Sequence, residues 1–117
     1  MAKRVLVCGG RDYHNESQMI LTLSAFLLPD DVIVHGGARG ADSLAGDVGG
    51  RLLGHKVEVY PADWHTHGKA AGPIRNQQML DSGIDLVIAF PGGKGTEDIV
   101  RRARKTGVEV VVEVVEV

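Results

Sequence analysis

Leu86-Val87-Ile88-Ala89-Phe90-Pro91-Gly92-Gly93-Lys94-Gly95-Thr96-Glu97-Asp98 sets a glycine-rich turn between an apolar run and a polar, helix-forming segment. Leu86 to Phe90 contains no polar residue, which is the pattern of a strand buried on both faces of a parallel sheet. After the turn, Thr96 can cap a helix whose first turn carries Glu97 and Asp98, acids that suit the positive end of the helix dipole. A strand, a glycine turn and a helix in this order direct backbone N–H groups into one small volume, as a phosphate cradle requires.

The same unit recurs along the chain. Val5 to Cys8 reads as a first strand and is followed by Gly9-Gly10-Arg11-Asp12. Asn15 and Gln18 have capping-box spacing, and Met19, Ile20, Leu23, Phe26 and Leu27 then fall on one helical face until Pro29-Asp30-Asp31. Val32 to Val34 is a second strand, and Gly36-Gly37-Ala38-Arg39-Gly40-Ala41-Asp42 leads into a helix with Leu44, Ala45, Val48 and Leu52 on one face. Gly46, Gly49 and Gly50 lower the propensity of that helix, so it must pack closely or fray before Gly54 ends it. Val57 to Tyr60 is a third strand, and Pro61 through Gly72 is a polar loop long enough to serve a function.

Pro73 can open a short helix carrying Ile74, Gln77, Met79 and Leu80, closed by Gly83. Asp85 to Phe90 is the fourth strand. The last helix is expected from Thr96 to Thr106, with Arg101, Arg102, Arg104 and Lys105 near its negative end. Val108 to Val117 is a final strand at or near a sheet edge, where Glu109, Glu113 and Glu116 discourage aggregation. Strand and helix alternate throughout. That predicts an α/β fold: a Rossmann-like three-layer αβα sandwich with a mainly parallel sheet of about five strands and right-handed crossovers. Ligands in such folds sit beyond the carboxyl ends of the strands, where all three glycine turns fall.

The 117 residues fit one domain, residues 1–117. A lone Cys8 and an opening apolar run too short for a signal peptide or a span point to a cytoplasmic protein without a membrane partner. The net charge of −2 argues against nucleic acid as a partner, although a local basic patch remains compatible with it. Neither G-x-G-x-x-G nor a Walker A loop is present, which disfavours ordinary NAD dehydrogenases and P-loop NTPases. No cofactor is implied. His65 and His67 stand one residue apart, but no Cys or acid spacing completes a metal site.

Four motifs taken together, Cys8-Gly9-Gly10-Arg11-Asp12, Gly36 to Asp42, Ala71-Gly72-Pro73-Ile74-Arg75-Asn76 and Pro91 to Thr96, resemble the SLOG superfamily. That group holds the lonely-guy phosphoribohydrolases, the DNA-processing protein A domains and small stand-alone proteins, and the last are the most similar. The resemblance implies a nucleotide or nucleotide-derived ligand. It matches Pro91, Gly92, Gly93, Gly95 and Thr96 to the phosphate-binding turn of the lonely-guy enzymes, and Arg75 to an arginine they place against the ligand. Their catalytic glutamate falls three residues after the threonine, where this chain has Ile99. Glu97 and Asp98 are the nearest substitutes if the chain cleaves the N-glycosidic bond of nucleoside monophosphates. Single-stranded DNA binding, by analogy with the DNA-processing domains, is the third reading, and few aromatics support it.

Residue by residue, the expected ligand contacts are Gly9, Gly10 and Arg11; Gly36, Gly37, Arg39, Gly40 and Asp42; Trp64 and Lys69; Arg75 and Asn76; and Gly92, Gly93, Gly95 and Thr96. Three glycines within four positions exceed the need of one turn. Arg39 and Arg75 stand near helix starts, where a cation gains nothing from the dipole; an anionic ligand would explain both, and a salt bridge to Asp42 or Asp63 is the plainer alternative. Trp64 can stack on a base or pack as a lid. Glu97 and Asp98, acids in a first helical turn, read as dipole partners before they read as catalysts. The valine-rich C-terminus and exposed helix faces leave room for a homodimer or higher homo-oligomer.

Overall fold

In the computed structural model, which describes residues 2–113, the chain forms five strands: β1 (Arg4–Cys8), β2 (Val32–His35), the alternating β3 (Lys56–Val59), β4 (Leu86–Ala89) and β5 (Glu109–Val112). All pairings are parallel, in the order β3-β2-β1-β4-β5. Val5 is in register with Ile33 on one side and with Leu86 on the other. The helices are α1 (Glu16–Phe26), α2 (Ala41–Ala45), α3 (Trp64–His67), α4 (Ala71–Asp81) and α5 (Lys94–Lys105). The fold is α/β and Rossmann-like, as the alternation predicts.

Side chains alternate across the sheet and fill two cores. On one face Val5, Val7, Ile33 and Ile88 meet Met19 and Leu23 of α1 and Val48 beyond α2. On the other, Leu6, Cys8, Val34 and Val87 meet Met79 and Leu80 of α4 with Ile99 and Ala103 of α5. The chain steps outward from β1 to β3, then crosses back to β4. The turns after neighbouring β1 and β4 therefore lead to helices on opposite faces, which opens a crevice between them at the carboxyl edge.

Several local expectations are refined. Asn15 accepts from the Gln18 N–H at 3.1 Å, but the Gln18 side chain bonds Thr22 instead, so only half of the capping box forms. Beyond α2 the chain widens into a π-helical stretch, Gly46–Leu52. Close packing explains its glycines, because a Cβ at Gly49 would overlap the Ile33 side chain. The polar loop after β3 is largely helical. Asp63 accepts from the Thr66 N–H at 3.1 Å to start α3, a 3-10 turn (Gly68–Ala70) follows, and α4 begins at Ala71 rather than Pro73.

The expected cap at Thr96 is a correction: α5 begins at Lys94, Gly93 is the N-cap without a side-chain bond, and Thr96 is the third helical residue. Gly93 adopts φ −104° and ψ −142°, and that extended residue turns the chain into the helix earlier than a capping hydroxyl would. β5 ends at Val112, and the remainder of the expected last strand from Val114, including Glu116, lies outside the described residues. No helix among the described residues is long and apolar enough to cross a membrane.

Gly9 and Gly95 make opposite predictions. A Cβ on Gly9 would lie 2.6 Å from the Ala41 Cβ and 2.9 Å from the Phe90 Cβ, whereas one on Gly95, inside α5, meets nothing within 4 Å. Urea denaturation should find Gly9→Ala less stable by about 1–3 kcal/mol and Gly95→Ala more stable by roughly 0.5–1 kcal/mol. An unchanged midpoint for Gly9→Ala would refute the tight junction.

Candidate functional site

Gly10 joins the three glycine turns. Its N–H donates to the Pro91 carbonyl at 2.8 Å, and its carbonyl accepts from the N–H groups of Ala41 at 3.0 Å and Tyr13 at 3.2 Å. Gly40, with φ +81°, lies against the Gly10 and Arg11 backbone in a conformation and a space that only glycine fits. These contacts draw the carboxyl ends of β1, β2 and β4 together.

The crevice they leave is a cleft of about 330 Å³. Gly9, Gly10 and Arg11 form one wall; Asp42, Arg75 and Asn76 form another; Gly93, Lys94, Gly95 and Thr96 close it from the start of α5. Cys8 and Ile99 line it from the core. Glu97 is the first α5 residue whose N–H returns to the chain, to the Gly93 carbonyl at 3.0 Å. The N–H groups of Lys94, Gly95 and Thr96 thus have no intrahelical partner at the edge of the cleft. Neither Gly93 nor Gly95 has a positive φ or a neighbour that a Cβ would touch, so the fold does not demand glycine there. A second cavity of about 460 Å³ adjoins the first, shares Arg11, Ala38 and Arg75 with it, and extends along Gly36, Gly37 and Arg39 to Trp64.

Arg75 sits at the waist between the two cavities. Its Nη1 donates to the Gly36 carbonyl at 2.5 Å and its Nε to Asn76 Oδ1 at 2.9 Å. Among the described residues no carboxylate comes within 4.0 Å of it. Burial pulls its pKa below the usual arginine value, and the more distant Asp42 opposes that shift. Asp42 itself is 7% exposed. Its Oδ2 accepts from the N–H groups of Gly36 at 3.0 Å and Ala38 at 3.3 Å, which fixes the second turn from within. Burial raises the Asp42 pKa, and those N–H groups together with Arg75 oppose the rise without cancelling it.

Asn76 is buried and relays order from Arg75 to α5. Its Oδ1 accepts from Arg75, and its Nδ2 donates to Asp98 Oδ2 at 2.9 Å. Asp98 also pairs with Arg101 at 2.5 Å and with Arg102 at 2.9 Å. Burial works to raise the Asp98 pKa, but the bonds from Asn76 and Arg102 outweigh it and hold the carboxyl below its usual range. Asp98 does not line the cleft, and Glu97 lines a different groove, between α5 and β5.

The remaining expected site residues distribute unevenly. Gly36, Gly37, Arg39 and Trp64 line the second cavity, not the first. Arg39 pairs with neither Asp42 nor Asp63; it lies 3.9 Å from Asp12, with both side chains largely in solvent. Gly92 packs beneath Thr96 and against Gly9 and Gly10 rather than facing the cleft. Lys69 is exposed on the 3-10 turn and lines neither cavity. Lys94 lines the cleft but does not figure among the sequence-derived contacts; its place between Gly93 and Gly95 is the signal. His35 is also absent from them, yet its Nδ1 accepts from the Gly37 N–H at 3.0 Å and steadies the second turn.

Comparison with known proteins matches the model of the YspA, cpYpsA-related SLOG family (YAcAr) over residues 3–67. "Gene 61 protein" of Mycobacterium phage D29 is 40% identical over 118 aligned residues, covering 93% of this chain and 94% of its own length. The chain belongs to the YspA, cpYpsA-related SLOG family. The matched segment includes the first two glycine turns, while Arg75 and the start of α5 lie beyond it.

His35 yields a pH prediction. Burial, with Arg75 nearby, holds its pKa below the ordinary value, so the unfolded chain binds the proton first as pH falls. The neutral ring's contribution is present above the unfolded pKa of about 6.5 and is lost as pH falls through the lower folded value. Urea midpoints should drop between about pH 7.5 and 5.5, and drop less in His35→Gln, which is weaker at the upper end. Equal pH slopes in the two proteins would contradict the role of His35.

Proposed function

We propose that the cleft binds a nucleotide or nucleotide derivative, with a phosphate at the start of α5 and the base toward Trp64. The observation that carries this reading is Arg75: a guanidinium held among buried groups, without a carboxylate within 4.0 Å among the described residues, beside open helix N–H groups. An unpaired charge in such a place costs stability unless a counter-charge arrives. A phosphate supplies it and accepts from the N–H groups of Lys94, Gly95 and Thr96. Trp64, half exposed at the far end of the second cavity, offers a ring face for a base. Membership of the SLOG family supports a nucleotide-related function.

The same arrangement favours binding over N-glycosidic cleavage. The position of the lonely-guy glutamate is Ile99, which lines the cleft and belongs to the core. Asp98 is committed to Asn76, Arg101 and Arg102, and Glu97 faces another groove. The one carboxylate that lines the cleft among the described residues, Asp42, is committed to the second turn.

Calorimetric titration with the four nucleoside 5′-monophosphates should detect binding by at least one of them. Arg75→Ala, confirmed as folded by circular dichroism, should weaken it by about 10-fold or more, the scale of a lost hydrogen bond to a charged group. Chromatography after prolonged incubation should show no free base. Heat traces that stay flat for every nucleotide, in wild type and variant alike, would defeat the reading.

A further inference from the structure

The two cavities pose a question of charge that one phosphate does not answer. Among the described residues their walls carry Arg11, Arg39, Arg75 and Lys94 against a single acid, Asp42, on a chain whose net charge is −2. Asp42 gives one oxygen to the Gly36 and Ala38 N–H groups. Among the described residues the only ion pair of the four cations is Arg39 with Asp12, at 3.9 Å and with side chains 77% and 98% exposed. Exposed pairs of that kind contribute little. The excess of positive charge is therefore open to a ligand.

Its distribution matters as much as its size. Lys94 and the free N–H groups stand at one end of the first cavity; Arg11 and Arg75 line both cavities and so mark the waist; Arg39 stands in the second, with Trp64. The first cavity, about 330 Å³, is near the lower limit for a ligand pocket, which runs from about 300 to 1,000 Å³. A monophosphate seated at α5 within reach of Arg75 leaves Arg11 and Arg39, farther along the two cavities, without a counter-charge. Arg11 and Arg75, which line both cavities, offer a second phosphate bonded to the first a site of matching charge at that waist.

Resting on the nucleotide reading above, we propose that the preferred ligand carries a nucleoside 5′-diphosphate group. One phosphate lies against Lys94 and the α5 N-terminus, the other between Arg11 and Arg75, and the nucleoside runs along the Gly36–Arg39 turn to Trp64. The same group occurs in a free nucleoside diphosphate and in a diphosphate-bridged dinucleotide, and the experiment separates them.

Titrations of the wild-type chain with adenosine 5′-monophosphate, adenosine 5′-diphosphate and nicotinamide adenine dinucleotide, and with the guanosine mono- and diphosphates, compare the classes directly. At least one diphosphate compound should bind about 10-fold or more tightly than its monophosphate. If the free diphosphate alone gains, the outer phosphate is terminal; if the dinucleotide gains as well, the α5 end admits an ester. Arg11→Gln, an exposed position, should remove most of the diphosphate's advantage and change monophosphate affinity much less. Equal affinity for mono- and diphosphates overturns this proposal and leaves the nucleotide reading standing. An Arg11→Gln variant that weakens both classes alike overturns the placement of the second phosphate. Binding of none of the five compounds overturns this proposal, and if the pyrimidine monophosphates stay silent as well it overturns both.

Discussion

Gly10 donates to Pro91 and accepts from Ala41, so three turns that are far apart in sequence meet within one hydrogen bond of each other. Nothing larger than a hydrogen atom fits between them: Gly9 is clasped by Ala41 and Phe90, and Gly40 lies against the Gly10 carbonyl. Hydrogen bonds hold the junction, but steric exclusion gives it its shape. With the turns this close, the starts of α2 and α5 and the end of β1 border a single volume, and the cleft is what remains between them. A side chain at Gly9 or Gly10 would push β1 away from β4 and widen the crevice that the carboxyl edge of the sheet provides.

Charge in the cleft follows from how the acids are spent. Asp42 gives an oxygen to backbone N–H groups of the second turn, and Asp98 is consumed by Asn76, Arg101 and Arg102. Both carboxylates hold structure in place. The guanidinium of Arg75 is fixed through Asn76 and the Gly36 carbonyl, which orient it without neutralising it. A chain with more acids than bases thereby presents a cationic cleft, because its acids near the site are already engaged.

The strands were legible because four carry short apolar runs and β3 alternates valine with charge, and the order of strand and helix leaves few other topologies. The three turns were legible because glycine clusters at the carboxyl ends of strands. The start of α5 was not, since Thr96 is a strong capping residue in sequence while the extended backbone of Gly93 begins the helix instead. Glycines that serve packing and glycines that face a cavity look alike in sequence. Gly92 and Gly9 turn out to be crowded, and Gly93 and Gly95 open. The fate of Asp98 was half readable: Arg101 and Arg102 stand three and four residues on, within reach on any helix. Its bond to Asn76, from another helix, follows only from the packing of α4 against α5.

Ile99 ties the core to the cleft. Its side chain packs with Met79 and Ala103 and also lines the cavity beneath the α5 turn. A general acid at this depth would need a carboxyl group that reaches the ligand and a neighbour that sets its pKa. Isoleucine supplies neither. What it does supply is an apolar floor, and an anion bound above it, as proposed, would be attracted to Arg75 more strongly for the water kept from that side. Under the binding reading, isoleucine at the place where the resemblance puts a glutamate keeps a negative charge from facing the cleft.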